Sequence, residues 1–144
     1  MSNKNKSILF VCNLNSVRSV MAEYLLKNYI NDSILITSAG VKKGDIDNFA
    51  VEVMSEIGIN ISGHQPKLLE GLRDNDYEVV ITLSPEAQHL AKELTRNNSW
   101  EIEYWPCYDV SGFHGSREQI LSSYREVRDQ ISKLLIKRFI NKLE

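Results

Sequence analysis

Short apolar runs alternate along this chain with stretches in which apolar residues recur every three or four positions. The runs predict short strands at residues 7–11, 34–37, 79–83 and 102–105. The periodic stretches predict helices at residues 20–30, 47–57 and 85–94, a short helix at residues 66–72, and a long final helix from about Ser116. Strands that alternate with helices are typical of a parallel sheet covered on both faces. We therefore expect an α/β, doubly wound fold with a four-stranded parallel sheet.

The ends and faces of several helices are also predicted. Gly58 follows the second helix as a stop signal, and Ser84 caps the helix that begins at Pro85. The apolar stripe of the final helix is predicted to consist of Ile120, Tyr124, Val127, Ile131 and Leu134.

The segment between the first strand and the first helix has a pattern of reactive residues. Residues 12–19 read Cys-Asn-Leu-Asn-Ser-Val-Arg-Ser, and we call residues 12–18 the anion loop. Such a loop runs into a helix N-terminus, where free N–H groups and the helix dipole favour an anion. The same environment and the Arg18 guanidinium favour the thiolate of Cys12, which is the nucleophilic form. Arg18 also presents a planar fork of donors that can hold two oxygens of a phosphate.

Other residues of this segment suit the same chemistry. Ser19 can donate a hydrogen bond to the Cys12 sulfur, and Asn15 tolerates the positive φ of a tightly wound loop. The expected binding residues of the loop are Asn13, Leu14, Asn15, Ser16, Val17 and Arg18. The alternative is a structural cysteine at a strand end and a solvated arginine; the strand–loop–helix setting and Ser19 argue against it.

Composition narrows the class of protein. The chain has 144 residues, 42% of them hydrophobic and 25% charged, and we expect one domain spanning residues 1–144. A net charge of −2 gives no reason to expect nucleic acid or an anionic membrane as a partner. There is no apolar run near 18 residues and no signal-peptide pattern, and with only two cysteines a cytoplasmic location is expected. His64, His89 and His114 lack metal-ligand spacing, so no metal is expected.

The chain resembles a known family at several motifs. The segment LFVCNLNSVRSVMAEYLL resembles the signature of low-molecular-weight protein tyrosine phosphatases and of the arsenate reductases that share their fold. Residues 37–40 (TSAG) resemble the segment after the family's second strand, residues 63–67 (GHQPK) its His-x-x-Lys segment, and residues 77–83 its third strand. Residues 103–109 and the segment GSREQILSSYREVRDQISKLL resemble the acid-bearing loop and the closing helix. The resemblance covers nearly the whole chain.

The resemblance implies a two-step covalent mechanism. The Cys12 thiolate attacks phosphorus while Arg18 and the loop amides hold the oxyanion. Asp109, which aligns with the family's general acid, protonates the leaving oxygen; a phenolate, whose conjugate acid has a pKa of about 10, needs that proton. Asp109 then activates the hydrolytic water, and Ser19 assists the departing sulfur. Ser38 and His64 are implied to support the loop through hydrogen bonds, and no metal or organic cofactor is required.

Four departures from the family pattern bear on the activity. Val110, Ser111 and Gly112 follow Asp109 in place of a proline and aromatic residues. Trp105, Tyr108 and Phe113 are therefore candidates for a replacement aromatic wall. Val17 stands where many of the phosphatases have a second cysteine, and Leu14 stands where many have glycine. Residues 83–85 lack the cysteine that thioredoxin-coupled arsenate reductases need.

The sequence thus predicts a phosphatase that hydrolyses phosphotyrosine or a similar aryl phosphate. Its expected partners are a phosphorylated protein or small aryl phosphate, and inorganic phosphate or another oxyanion. One alternative is an arsenate reductase that uses an external small thiol of the glutathione or glutaredoxin type; another is a non-catalytic phosphate-binding module. Cys107, the other cysteine, gives a redox hypothesis: a disulfide with Cys12 requires their Cα atoms to lie within about 7 Å.

Overall fold

Four parallel strands form the sheet in this computed structural model, which describes residues 7–30, 34–97, 99–110 and 112–141. The strands are β1 (Ser7–Cys12), β2 (Leu35–Gly40), β3 (Val79–Thr82) and β4 (Glu101–Tyr104), in the spatial order β2-β1-β3-β4. The helices are α1 (Arg18–Tyr29), α2 (Asn48–Ser55), α3 (Pro85–Leu94) and α4 (Arg117–Leu135). Short 3₁₀ turns lie at Leu69–Leu72 and Thr95–Asn97, and a π-helical turn at Ile136–Ile140 follows α4. The predicted doubly wound, four-stranded parallel sheet is confirmed.

Helices cover both faces of this sheet, as the alternation of side chains along β1 requires. Ile8, Phe10 and Cys12 belong to the core under α1, α2 and α4. Leu9 and Val11 belong to the core under α3. Because both faces of the central strand are buried, its sequence is a continuous apolar run with no polar alternation.

Several element boundaries differ from the predicted ones. Strand β2 continues to Gly40 because it pairs with β1 as far as Cys12, although only residues 34–37 are apolar enough to indicate a strand. Helix α1 begins at Arg18, two residues before the predicted start at residue 20. Of the predicted helix at residues 66–72, only the turn at Leu69–Leu72 forms.

The buried face of α4 is rotated relative to the predicted stripe. Its buried residues are Leu121, Tyr124, Val127, Arg128, Ile131 and Leu135. Ile120 and Leu134, which were expected to face inward, are only half-buried. The shift accommodates Arg128, which donates to the Val53 carbonyl at 2.7 Å and to Glu56 at 3.0 Å. An apolarity pattern cannot identify an arginine as part of the inner face.

None of the helices in the described part of the chain combines the length and apolar character that crossing a lipid bilayer demands.

The strand order creates a switch point between β1 and β3. The chain leaves β1 towards β2 on one side, and β3 leads to β4 on the other. Ligands of such sheets bind beyond the carboxyl ends of the strands at this point. Cys12 is the last residue of β1 and therefore lies there.

Gly40 must be a glycine for the chain to leave β2 beside the anion loop. A Cβ at Gly40 would lie 2.6 Å from the Lys42 carbonyl oxygen and 2.7 Å from the Asn15 nitrogen, both backbone atoms. We predict that Gly40→Ala lowers the free energy of unfolding by about 1–3 kcal/mol, the usual cost of overpacking. Gly63→Ala is the matched control because nothing lies within 4 Å of its added Cβ, and it should stay within about 0.5 kcal/mol. Urea unfolding monitors both; equal effects would contradict the steric explanation.

Candidate active site

The backbone of the anion loop turns its carbonyl groups away from the site. The carbonyls of Cys12, Asn13 and Leu14 accept hydrogen bonds from backbone N–H groups at 3.0, 2.8 and 3.0 Å. The donors are Val41, Lys42 and Gly44, in the segment that follows β2. In a trans peptide the next N–H points opposite to the carbonyl, so the N–H groups of residues 13 and 14 face the other side of the loop. That side is available to an anion.

The start of α1 adds further donors. Val17 occupies the N-cap position and supplies no side-chain cap, so the first-turn N–H groups are not capped from within the helix. The Ser19 N–H points at the Cys12 sulfur at 3.4 Å, and the Ser19 hydroxyl lies 3.0 Å from the same atom. The start of α1 therefore places a backbone N–H and a hydroxyl within hydrogen-bonding distance of the sulfur that the sequence predicts as the nucleophile.

Asn15 is the buried support of the loop. It has a φ of +55°, and its side-chain Nδ2 donates to Ser19 Oγ at 2.8 Å and to Ser38 Oγ at 2.9 Å. Its Oδ1 accepts from the Lys67 N–H at 2.9 Å and from His64 Nε2 at 3.0 Å. The structure therefore brings Ser38 and His64 under the loop, as the sequence implied, and fixes a strained turn with a fully bonded amide.

A buried carboxylate, which the sequence analysis missed, lies one layer below. Glu23 accepts from Ser38 Oγ at 2.5 Å and from Lys27 Nζ at 2.6 Å, and its Oε1 is 4.0 Å from His64 Nδ1. Burial lowers the pKa of His64 below its ordinary value, against the opposing effect of the Glu23 charge. An acidic residue inside the apolar stretch of the first helix was the available signal, because such a residue is seldom buried without a partner.

Arg18 joins the loop to two other elements. Its Nη1 donates to the carbonyls of Leu83 at 3.3 Å and Cys107 at 3.2 Å. Its Nη2 lies 3.7 Å from Asp109 Oδ2. The predicted acid and the predicted anion-binding arginine are therefore neighbours at the switch point, although they are far apart in sequence.

A pocket of about 320 Å³ opens above these groups. It is lined by Cys12, Asn13, Leu14, Ser16, Val17, Arg18, Val41, Lys42, Glu86 and Asp109. Seven of these are predicted site residues, whereas Asn15, Ser19, Ser38 and His64 lie in the hydrogen-bond network beneath.

Val41, Lys42 and Glu86 were not predicted to line the site. They enter it because β2 and β3 flank β1, so that the residues following those strands meet at one edge. Ser84 fixes Glu86 near the loop, since its hydroxyl donates to Asn13 Oδ1 at 2.6 Å and also caps α3 at the Ala87 N–H.

The expected replacement aromatic wall does not line this pocket. Trp105 borders a separate groove with Glu103 and Arg138, and Tyr108 and Phe113 border another one against α4. Residues 106–114, which we call the acid loop, thus place Tyr108 and Phe113 away from the anion loop, and Ser111 within this loop lies outside the described residues. Outside the anion loop, the pocket is lined instead by Val41, Lys42, Glu86 and Asp109.

Cys107 is a buried thiol close to the site. Its S–H donates to the Trp105 carbonyl at 3.4 Å. Burial raises the pKa of Cys107 to about 11, with the nearby Cys12 acting in the same direction and Arg18 opposing it. Cys107 is therefore protonated at neutral pH, and its disulfide with Cys12 stays a prediction.

The chain matches one protein family over nearly its full length. The model of the low molecular weight phosphotyrosine protein phosphatase family matches residues 7–144. A glutaredoxin arsenate reductase of Synechocystis is 34% identical over 128 residues, which cover 89% of this chain and 92% of that protein. An arsenate reductase of Bacillus subtilis is 31% identical over 132 residues, which cover 92% of this chain and 94% of that protein.

Solved structures of similar proteins include arsenate reductases and phosphatases. An arsenate reductase in its oxidized state has a TM-score of 0.79 and 31% identity, covering 96% of this chain and 99% of that one. An arsenate reductase in a phosphate-binding state has a TM-score of 0.72 at the same identity and coverage. The arginine phosphatase of Geobacillus stearothermophilus has a TM-score of 0.78 and 26% identity, covering 96% and 92%.

The lowered pKa of His64 predicts acid sensitivity. The unfolded chain, in which a histidine pKa is about 6.5, binds a proton that the folded state takes up only at lower pH. The free energy of unfolding should therefore fall as the pH drops from about 7.5 to 5.5, and His64→Gln should lose less over that interval than the wild type. The exposed His89→Gln is the control and should follow the wild type. Urea unfolding at both pH values checks this; an unchanged pH dependence in His64→Gln would contradict it.

Proposed function

Because the chain belongs to the low-molecular-weight phosphotyrosine protein phosphatase family, we propose that it is an enzyme that binds a tetrahedral oxyanion covalently at Cys12. We further propose that its principal activity is the reduction of arsenate by an external thiol. The names of its relatives from Synechocystis and Bacillus subtilis support this activity. The relative in a phosphate-binding state supports the binding of an oxyanion.

The composition of the pocket walls carries the proposal. The oxyanion end has a buried sulfur, loop amides and Arg18, whereas the side walls above it include the aliphatic residues Leu14, Val17 and Val41. Among the residues that the structure describes, no aromatic side chain lines this pocket. A compact oxyanion can accept hydrogen bonds from the loop amides and from Arg18, while a phenyl ring finds no aromatic stacking surface.

The chemistry balances with two external thiols. The Cys12 thiolate attacks arsenic, an As–S bond forms, and one oxygen leaves as water with a proton from Asp109. An external thiolate then attacks the Cys12 sulfur, so an S–S bond forms, the As–S bond breaks, and its electron pair reduces As(V) to arsenite. A second external thiol releases Cys12 from the mixed disulfide. Two thiols are oxidised to one disulfide for each arsenate reduced.

The thiols must come from outside because the chain has only two cysteines. Cys107 is buried and, with its pKa raised to about 11, carries almost no thiolate at neutral pH. A glutathione-type thiol or a glutaredoxin is the reductant class that a single reactive cysteine needs.

Hydrolysis of a phosphomonoester is the second candidate activity, and the position of Asp109 favours it. The carboxylate lines the pocket beside Arg18 and is half exposed, so it can protonate a leaving oxygen and then activate water. The similarity to an arginine phosphatase shows that phosphotyrosine is not the sole substrate class to test. The substrates to compare are therefore aryl phosphates and phosphorylated amino acids.

Side-by-side assays separate these activities. Wild type should consume arsenate in the presence of glutathione and glutaredoxin, with one disulfide formed per arsenite, and Cys12→Ser should abolish this. Cys107→Ser is the matched control and should retain at least half of the activity, since its thiol is not used. Asp109→Asn should lower the hydrolysis of p-nitrophenyl phosphate and phosphoarginine by about 10²- to 10⁴-fold, the usual effect of a general acid.

The alternatives predict different results. Loss of arsenate reduction in Cys107→Ser would indicate an internal disulfide and contradict the external-thiol step. Hydrolysis of phosphoesters without thiol-dependent arsenate consumption would make the chain a phosphatase. Phosphate binding without either turnover would make it a non-catalytic binding module.

A further inference from the structure

Leu14 lies at the rim of the pocket. Its side chain is 39% exposed, whereas the following loop residues Asn15, Ser16 and Val17 are buried, and it also lines the pocket. A substituent on the outward oxygen of a bound oxyanion must therefore share the mouth of the pocket with this side chain.

The backbone that carries Leu14 is fixed on both sides. Its carbonyl accepts from the Gly44 N–H at 3.0 Å, and the preceding carbonyl, of Asn13, accepts from the Lys42 N–H at 2.8 Å. The next residue, Asn15, has a φ of +55° and a side-chain amide bonded at both ends. The Cα of Leu14 cannot shift without breaking one of these arrangements.

The side chain of Leu14 also rests against Gly44. A Cβ added at Gly44 would lie 2.9 Å from Leu14 Cβ and 3.5 Å from its Cδ1. Leu14 thus packs into the space that a side chain at position 44 would occupy. The backbone of Gly44 keeps the Leu14 side chain from moving further away from the pocket mouth.

We propose that Leu14, held against Gly44, is a specificity-determining residue that restricts the site to oxyanions with a small substituent or none. The inference rests on the proposed oxyanion site at Cys12 and names its substrate class. Arsenate, phosphate and slender phosphoesters pass the rim, whereas an ester carrying a ring next to the oxyanion meets Leu14 and binds more weakly. The aliphatic wall at Val41 offers such a ring no compensating stacking surface.

Two phosphonates that share the oxyanion but differ in substituent size test this directly. Calorimetry gives the affinities of methylphosphonate and phenylphosphonate for the wild type, Leu14→Ala and Leu14→Gly. The affinity of the phenyl compound relative to the methyl compound should rise about tenfold in Leu14→Gly and by a smaller factor in Leu14→Ala. Leu35→Ala, at an exposed leucine at the start of β2, is the matched control and should leave the ratio unchanged.

A second pair of variants tests the contact with Gly44. Gly44→Ala should push Leu14 over the mouth and lower the phenyl-to-methyl ratio at least threefold. The same substitution in a Leu14→Gly background should change the ratio less than twofold, because the side chain that it displaces is gone.

An unchanged or lowered ratio in both Leu14→Ala and Leu14→Gly would overturn the inference. General damage to the loop weakens both phosphonates alike and leaves the ratio unchanged, so that outcome also counts against it. The inference would also be overturned if the wild type bound neither methylphosphonate nor phenylphosphonate. Because binding is measured without turnover, a chain that passes this test yet fails to reduce arsenate refutes only the proposed activity.

Discussion

The buried amide of Asn15 is the interaction on which the site depends. It holds a non-glycine residue at a φ of +55° and satisfies all its polar capacity with four partners from α1, β2 and residues 64–67. An unpaired amide at this depth would cost about 1–3 kcal/mol, so each partner is needed to keep the turn. This turn of the backbone then fixes the direction in which the loop amides and the Leu14 side chain point.

The network around Asn15 couples the loop to the rest of the fold. Ser38 extends the hydrogen-bond network to the buried Glu23, and Ser19 extends it to the Cys12 sulfur. On the other side, Arg18 donates to the main-chain carbonyls of Leu83, just after β3, and of Cys107, in the segment after β4. The nucleophile, the arginine and the acid are thus positioned mainly by backbone atoms and buried polar groups.

Much of this could be predicted from local sequence. The strand–loop–helix setting identified Cys12 and Arg18, and the preference of asparagine for positive φ identified Asn15. Resemblance to a family added Asp109, Ser38 and His64, which the structure brings to the same place. Glu23 was missed although its place in an apolar stretch indicates a buried, partnered carboxylate, because the pattern does not say which residues the partners are. Lys42 and Glu86 were missed because a charged residue after a strand gives no local sign that it lines a pocket. Arg128 was missed on α4 because an apolarity pattern cannot identify an arginine as part of the inner face.

The sequence by itself determined the alternating elements, the reactive loop and the supply of thiols, because periodicity, turn preference and cysteine count are local properties. Only the tertiary structure decided which residues form the walls of the pocket. The aromatic residues near Asp109 were expected beside the loop, yet they border other grooves, and Val41, Lys42 and Glu86 join the predicted loop residues in lining the pocket. The direction of a loop depends on packing against distant helices, and hydrophobic and polar positions along the chain do not encode it.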